Sequence, residues 1–214
     1  MINKVYFLLL SFFPLSSIAQ KNIPLGTGML KIDFRQLPVL QFYADTSAVS
    51  PVKSVRIIKN QSEEYVIEPA DTTSNWFKPE QLFFEYDIFL MRVDTVAGNW
   101  YKIQVNSTTG ATLWTRTDAA KKFINWRTFL LKEISAVDKG DFNLDIKTAP
   151  SDKATTIKKI ETTDCFQVLD VKGDWIKVKT NKEMECSESK KPVASGWIRW
   201  RQNNRLTVNY SLTS

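Results

Sequence analysis

Short runs of alternating apolar and polar residues dominate the chain, and the clearest are opened by Gly-Asn or Gly-Asp pairs. Alternation with period two is the pattern of strands with one buried face, and the opening pairs are hairpin signals. Along residues 175–180, Ile176, Val178 and Thr180 share one face and Trp175, Lys177 and Lys179 the other. Along residues 100–105, Tyr101, Ile103 and Val105 point inward, with Trp100, Lys102 and Gln104 opposite. Both leading Trp residues therefore fall on the polar side of their strands. Residues 205–212 alternate in the same way and read as a closing strand. One segment departs from period two. Phe123, Trp126 or Arg127, and Leu130 recur at helical spacing behind Thr117 or Asp118, either of which can cap Ala119 onward. That spacing predicts a helix over about residues 118–132. Residues 133–143, with Gly140, read as a linker.

The pattern repeats. Gly98-Asn99-Trp100-Tyr101-Lys102-Ile103-Gln104-Val105 matches Gly173-Asp174-Trp175-Ile176-Lys177-Val178-Lys179-Thr180 at an offset of 75 residues. Each copy is followed by a second Trp, in Leu113-Trp114-Thr115-Arg116 and in Gly196-Trp197-Ile198-Arg199, at an offset of 83. The later copy therefore holds an enlarged loop within residues 181–195. Upstream, Phe42-Tyr43-Ala44-Asp45-Thr46-Ser47 can be laid over Ile146-Lys147-Thr148-Ala149-Pro150-Ser151, which leaves the earlier copy with an insert at about residues 60–84. The period is too long for a solenoid, and two tandem small domains account for it. Their expected bounds are 20–132 and 144–214, joined by the linker at 133–143.

The N-terminus reads differently. Lys4 precedes an apolar run over residues 5–15, and Ser17-Ile18-Ala19 supplies small residues before Gln20. This is the form of a cleavable signal peptide over residues 1–19, and the run is too short for a bilayer span of about 20 apolar residues. Export to the periplasm or beyond is the expectation, with no stable membrane insertion. The net charge of +6 is spread over short clusters such as Lys121-Lys122 and Lys190-Lys191. Nucleic-acid binding needs a concentrated stripe, so no nucleic-acid partner is expected. His is absent from the chain. That removes the Ser/His/Asp and Cys/His arrangements and His-containing zinc sites, so the expectation is no catalytic residues, no metal and no cofactor.

The second copy resembles a bacterial SH3-like (SH3b) domain over about residues 143–212. The resemblance rests on Ile146-Lys147-Thr148-Ala149-Pro150-Ser151, on the strand pair from Lys158 to Leu169, on Gly173-Asp174-Trp175-Ile176-Lys177-Val178, and on Gly196-Trp197-Ile198. The first copy, about 26–132, keeps the hairpin and the second Trp but has Leu113 in place of the glycine. The resemblance implies a mainly β chain of two tandem SH3-like barrels, the first with an insert and a C-terminal helix. It implies non-catalytic binding of peptidoglycan or of an envelope protein. An assembly role without glycan binding is one alternative. An envelope hydrolase using carboxylates is another, although Glu63-Glu64, Glu80 with Glu85, and Asp164 with Asp170 read as surface charges.

Candidate site residues follow. Trp100 and Trp175, with Lys102, Lys177 and Tyr43, are candidates for an aromatic and basic ligand platform. The alternative is that each Trp packs against its own barrel or the other copy. Trp197, beside Ile198, reads as a structural residue. Cys165 and Cys186 are the only cysteines. In an exported chain an even count suggests a disulfide, here closing a loop of about 20 residues for roughly 3 kcal/mol. One buried and one exposed thiol is the other arrangement.

Overall fold

The computed structural model describes residues 23–68, 70–140, 142–181 and 192–212. The expected signal peptide at 1–19, Cys186 and most of the enlarged loop lie outside the described residues. The first half contains β1 (Gly28–Ile32), β2 (Val39–Phe42), β3 (Lys53–Lys59), β4 (Tyr65–Glu68), α1 (Ala70–Thr73), β5 (Gln81–Phe83), β6 (Ile88–Ala97), β7 (Trp100–Asn106), β8 (Ala111–Arg116), β9 (Lys121–Asn125) and α2 (Trp126–Lys132). The second contains β10 (Ala136–Asp138), β11 (Asp145–Lys147), β12 (Thr156–Lys159), β13 (Phe166–Lys172), β14 (Trp175–Thr180), β15 (Gly196–Arg199), β16 (Arg201–Gln202), β17 (Arg205–Leu206) and β18 (Asn209–Ser211). The fold is mainly β. No described helix is long and apolar enough to cross a membrane.

The internal repeat is a repeat of topology. The first sheet runs β8-β7-β6-β1-β9, with β5 added on β6, and the second runs β12-β11-β15-β14-β13-β10-β18, so the order of five strands is repeated. The opening strand of each half sits between the three-stranded meander and the closing strand. Register repeats as well. Val93 pairs with Ile103, and Val168 with Val178, at the same 75-residue offset. Each ladder then shifts at one bulge, between Val93 and Thr95 and between Val168 and Asp170. Gly98 and Gly173 turn the two hairpins at φ of 55° and 57°. A Cβ would meet nothing within 4 Å at either position, so conformation rather than space calls for glycine there.

The outer ribbons correspond too. Tyr43 and Trp114 exchange backbone hydrogen bonds of 2.8 and 2.9 Å, so the end of β2 touches β8. In the second half Lys147 of β11 pairs with Trp197 of β15. This is the overlay of residues 42–47 on 146–151 read from the sequence. Gly196 lies under β11, where a Cβ would come 2.1 Å from Ile146 Cγ2. Among the described residues the first half pairs β8 with its ribbon through the isolated Tyr43–Trp114 bridge, and it accommodates Leu113. Residues 60–84 carry β4, α1 and β5, which have no counterpart in the second half.

Three expectations change. Residues 121–125 form β9 rather than the start of a helix, pairing residue for residue with β1 from Gly28↔Asn125 to Ile32↔Lys121. The far edge of β1 carries unpaired N–H and C=O groups, and satisfying them outweighs the local helical spacing. The helix starts at Trp126, capped by Asn125, whose side chain accepts from Thr128 N at 2.9 Å. Asp118 instead closes the preceding turn, accepting from Ala120 N at 3.0 Å. The segment 133–143 is not a free connector. It holds β10, between β13 and β18, with Ala136 and Val137 buried. The closing segment divides into β17, paired with β16, and β18, paired with β10.

Strand alternation places the core. On β1 and β6, Met29 and Leu90 point to one face of the first sheet, and Leu30, Phe89, Met91 and Val93 to the other. The second set packs under β2–β4 in a cluster confined to the first half. The first set joins Trp126, Phe129 and Leu130 of α2 and meets Val137, Ile146, Phe166, Ile176, Ile198 and Trp200. One hydrophobic core therefore spans both halves. Trp126 and Trp200 lie 5.7 Å apart between ring centroids, and Phe129 meets Tyr210 edge-on at 5.2 Å.

Candidate functional site

The hairpins β6–β7 and β13–β14 position the candidate residues, and the adjoining strands β8 and β15 complete the site. Cross-strand register sets Trp100 opposite Arg116 and Lys102 opposite Trp114. It sets Trp175 opposite Arg199 and Lys177 opposite Trp197. Each half thus carries the same four residue types as two directly opposed pairs on one sheet face, because residues two apart on a strand share a face.

In the first half the stack is partly open. Trp100 is half-buried. The Arg116 guanidinium lies 5.0 Å from the Trp100 ring centroid and 5.2 Å from that of Tyr43. Tyr43 meets Trp100 edge-on at 5.1 Å. Tyr43 itself is buried, and its hydroxyl donates to Gln41 Oε1 at 3.0 Å. Lys102 is paired with Asp94 at 3.4 Å. A guanidinium over two aromatic rings gains about 0.5–2 kcal/mol, more where water is excluded.

In the second half the stack is closed over. Trp175 is only 8% exposed. Arg199 covers its ring at 4.9 Å and is held from the far side by an ion pair with Asp152. Lys177 is half-buried. It contributes to holding the Asp170 carboxyl below the usual range, behind the Val171 backbone N–H, which is the largest cause, and Arg127. The structure brings Trp100 and Tyr43 together and keeps the Trp175–Lys177 pair in a separate site.

Sequence reading missed Arg116 and Arg199, and it missed that Trp114 and Trp197 share a sheet face with the two lysines. The signal was present as Trp114-Thr115-Arg116 and Trp197-Ile198-Arg199. Period two puts Trp and Arg of each triplet on one face. Trp197 is half-exposed across from Lys177, whereas Trp200, three residues on, is 2% exposed with Nε1 donating to Gly173 O at 3.0 Å. Period-two alternation puts Gln104 on the polar face, yet it is buried. The N-terminal segment crosses over it, and its Nε2 donates to Pro24 O at 2.6 Å.

Two carboxylates read as surface charges are not on the surface. Glu80 is 11% exposed, pairs with Arg92 at 2.7 Å and accepts from the Tyr210 hydroxyl at 3.0 Å. Burial first, and Glu80 second, push the Tyr210 phenol well above its usual range. Asp164 is fully buried, pairs with Lys158 at 2.6 Å and accepts from Glu161 N, closing the turn before β13. Among the described residues no three His, Cys, Asp or Glu side chains come together as a metal site. Cys165 is buried, and Cys186 lies outside the described residues.

No family model matches this sequence, and no curated protein matches it. Among solved structures, NlpC2 from Trichomonas vaginalis aligns with 87% of this chain at 8% identity and a TM-score of 0.32. The alignment spans 49% of that protein's length.

Proposed function

We infer that this chain is an exported, non-catalytic binding protein built of two SH3-like units, with peptidoglycan or an envelope protein as its partner. The observation that carries this reading is the Trp–Arg, Lys–Trp arrangement built at the same register in both halves, open at Trp100 and covered at Trp175. The repeated strand order, with the first strand between meander and closing strand, supports the SH3-like assignment. Trp100 and Arg116, backed by Tyr43, form the primary contact face. The commitment of Glu80 to Arg92 and of Asp164 to Lys158 supports a non-catalytic role, since neither carboxylate is free for proton transfer. Cosedimentation of the mature protein with purified sacculi tests the reading. Binding that is lost in Trp100→Ala and kept in Trp175→Phe supports it. No binding to sacculi, with or without the substitution, removes peptidoglycan as the partner.

A specific observation favours the assembly reading as a second choice. One hydrophobic core takes residues from both halves, which suits a protein that docks through both. Capture of an envelope protein by cross-linking in intact cells, without sacculus binding, would select it.

Export and a Cys165–Cys186 disulfide belong to the same proposal. No described cysteine is free, and Asn181 N, at the start of the enlarged loop, donates to Cys165 O at 3.0 Å. The mature chain should begin at Gln20, and its intact mass should rise by two alkyl groups only after reduction. N-terminal sequencing that starts at Met1, or alkylation without reduction, overturns these parts.

A further inference from the structure

The two aromatic–guanidinium stacks differ in what completes them. In the second half Arg199 lies over the Trp175 ring at 4.9 Å, and its Nη2 donates to Asp152 Oδ2. Stacking occupies the flat face of a guanidinium and leaves its in-plane N–H groups for a carboxylate, and Arg199 does both at once. Asp152 stands in the loop after β11, in Ala149-Pro150-Ser151-Asp152, where Ala154 N donates to Ser151 O at 3.1 Å. The second stack is therefore filled by an acidic loop of its own chain.

The first stack has the same cation without the acid. The pairings from which the two loops depart correspond, Tyr43 with Trp114 and Lys147 with Trp197. At the 104-residue offset that lays 42–47 over 146–151, Asp152 matches Ala48. Arg116 is exposed, and among the described residues no carboxylate pairs with it. The acidic residues of the adjoining segments are committed elsewhere: Asp94 to Lys102 at 3.4 Å, Asp118 to Lys121 at 2.7 Å, and Asp45 to Ser47 N and Oγ at 2.8 and 2.6 Å. Lys102 shares the sheet face but is neutralised by Asp94, so that pair adds no net charge to what Arg116 presents. Trp100 at 5.0 Å and Tyr43 at 5.2 Å hold the guanidinium. It is therefore set in place before any ligand arrives, which lowers the entropy lost on binding.

We propose that the first stack binds an acidic side chain on an exposed loop of a partner protein, with its carboxylate on the in-plane N–H groups of Arg116 and its neighbouring residues against Trp100. The loop at 148–155, seated on Arg199, is the pattern for that ligand. The proposal rests on the reading of Trp100 and Arg116 as the contact face and names the chemistry that face takes.

Two-dimensional NMR of the mature full chain tests it, through the Nε–H signals of Arg116 and Arg199 and the indole N–H of Trp100. The probe is an acetylated, amidated peptide with the sequence of residues 148–155, added at millimolar concentration. It should shift Arg116 and Trp100 to saturation, while Arg199, already paired, stays unchanged. The same peptide carrying Asp152→Asn should bind about fivefold more weakly or worse, the effect of a lost charge-assisted hydrogen bond. Asp152→Ala in the protein should open Arg199 to the peptide as a second site. Arg116→Gln, at an exposed position, should abolish the Trp100 shift with the melting temperature nearly unchanged. The proposal is overturned if the Asp and Asn peptides act alike, if Arg116→Gln responds as the wild type does, or if Asp152→Ala leaves Arg199 unresponsive. Saturation by N-acetyl-D-alanyl-D-alanine and not by the loop peptide overturns the protein loop as occupant and puts a cell-wall peptide carboxylate in its place. Sacculus binding through Trp100 with no carboxylate-dependent shift at Arg116 overturns this inference alone.

Discussion

The two halves share a strand order, a hairpin register and a bulge, yet they bury their sheets differently. In the first half both faces of the central strands are covered. Met29 and Leu90 point into the core shared with the second half, while Leu30, Phe89 and Met91 pack under β2–β4. In the second half Ile176 and Val178 face the shared core, and the opposite side of β13 and β14 leaves Leu169 and Lys179 exposed. The insert at 60–84 accounts for much of the difference. Its Tyr65, Ile67, Trp76 and Phe77 add a layer that the second half lacks. A repeated topology therefore does not impose repeated burial. What covers each sheet is decided by its insert and its neighbour.

The largest effect expected from this comparison is at Phe129. It is fully buried in the shared core, between Trp126 and Tyr210. Phe129→Ala should cost about 3–5 kcal/mol. Because the core is continuous, calorimetry should show one transition moved to lower temperature. Two separated transitions, with the second half melting where it did before, would break the picture of a common core.

The two stacks give a second test. Trp175→Ala removes a ring that is only 8% exposed and should lower stability by about 3 kcal/mol or more. Trp100→Ala removes a half-buried ring and should cost about half as much. Equal losses in urea denaturation would mean that the open and covered stacks do not differ energetically.

A smaller asymmetry is expected where Leu113 and Gly196 occupy matching positions. Gly196→Ala drives a methyl group against Ile146 and should cost about 1–3 kcal/mol. The first half holds a whole leucine at the matching position, so Leu113→Ala should cost only what its lost apolar area costs. A Gly196→Ala protein as stable as the wild type would show that β11 can move away from β15 freely.

The smallest effect concerns Arg127 and Asp170, which link α2 to β13 at 2.9 Å. The Asp170 carboxyl is held below its usual range by the Val171 N–H and by Arg127. A depressed folded-state value means that the contribution is present above the unfolded carboxylate value, about 3.9, and is lost as pH falls through the folded value. Asp170→Asn should therefore lower the melting temperature slightly near neutral pH and leave it unchanged below that range. A difference that persists in strong acid would assign the effect to something other than this charge.

Much of this was legible along the chain. The two hairpins, their inward faces and the insert at 60–84 follow from glycine turns, period-two alternation and an offset that changes from 104 residues at the upstream segment to 75 at the hairpins. Those signals are local, and local geometry decides them. The contribution of Arg116 and Arg199 was legible as well, through Trp and Arg two residues apart, but only once the sheet face carrying Trp100 was treated as part of the site.

By itself the sequence determined a mainly β chain, the two copies, their hairpins and the candidate aromatic and basic residues, because side-chain alternation and turn chemistry act over a few residues. Tertiary structure decided the rest. Lys121 to Asn125 became a strand because β1 had an open edge to satisfy, and residues 136–138 became an interior strand because β13 and β18 needed a neighbour between them. Gln104 and Glu80 were buried by segments distant in sequence, Pro24 and Tyr210. Trp175 was covered by the Arg199–Asp152 pair while Trp100 stayed partly open. Each outcome depends on which backbone groups and surfaces meet across long separations, and period and spacing carry no record of those meetings.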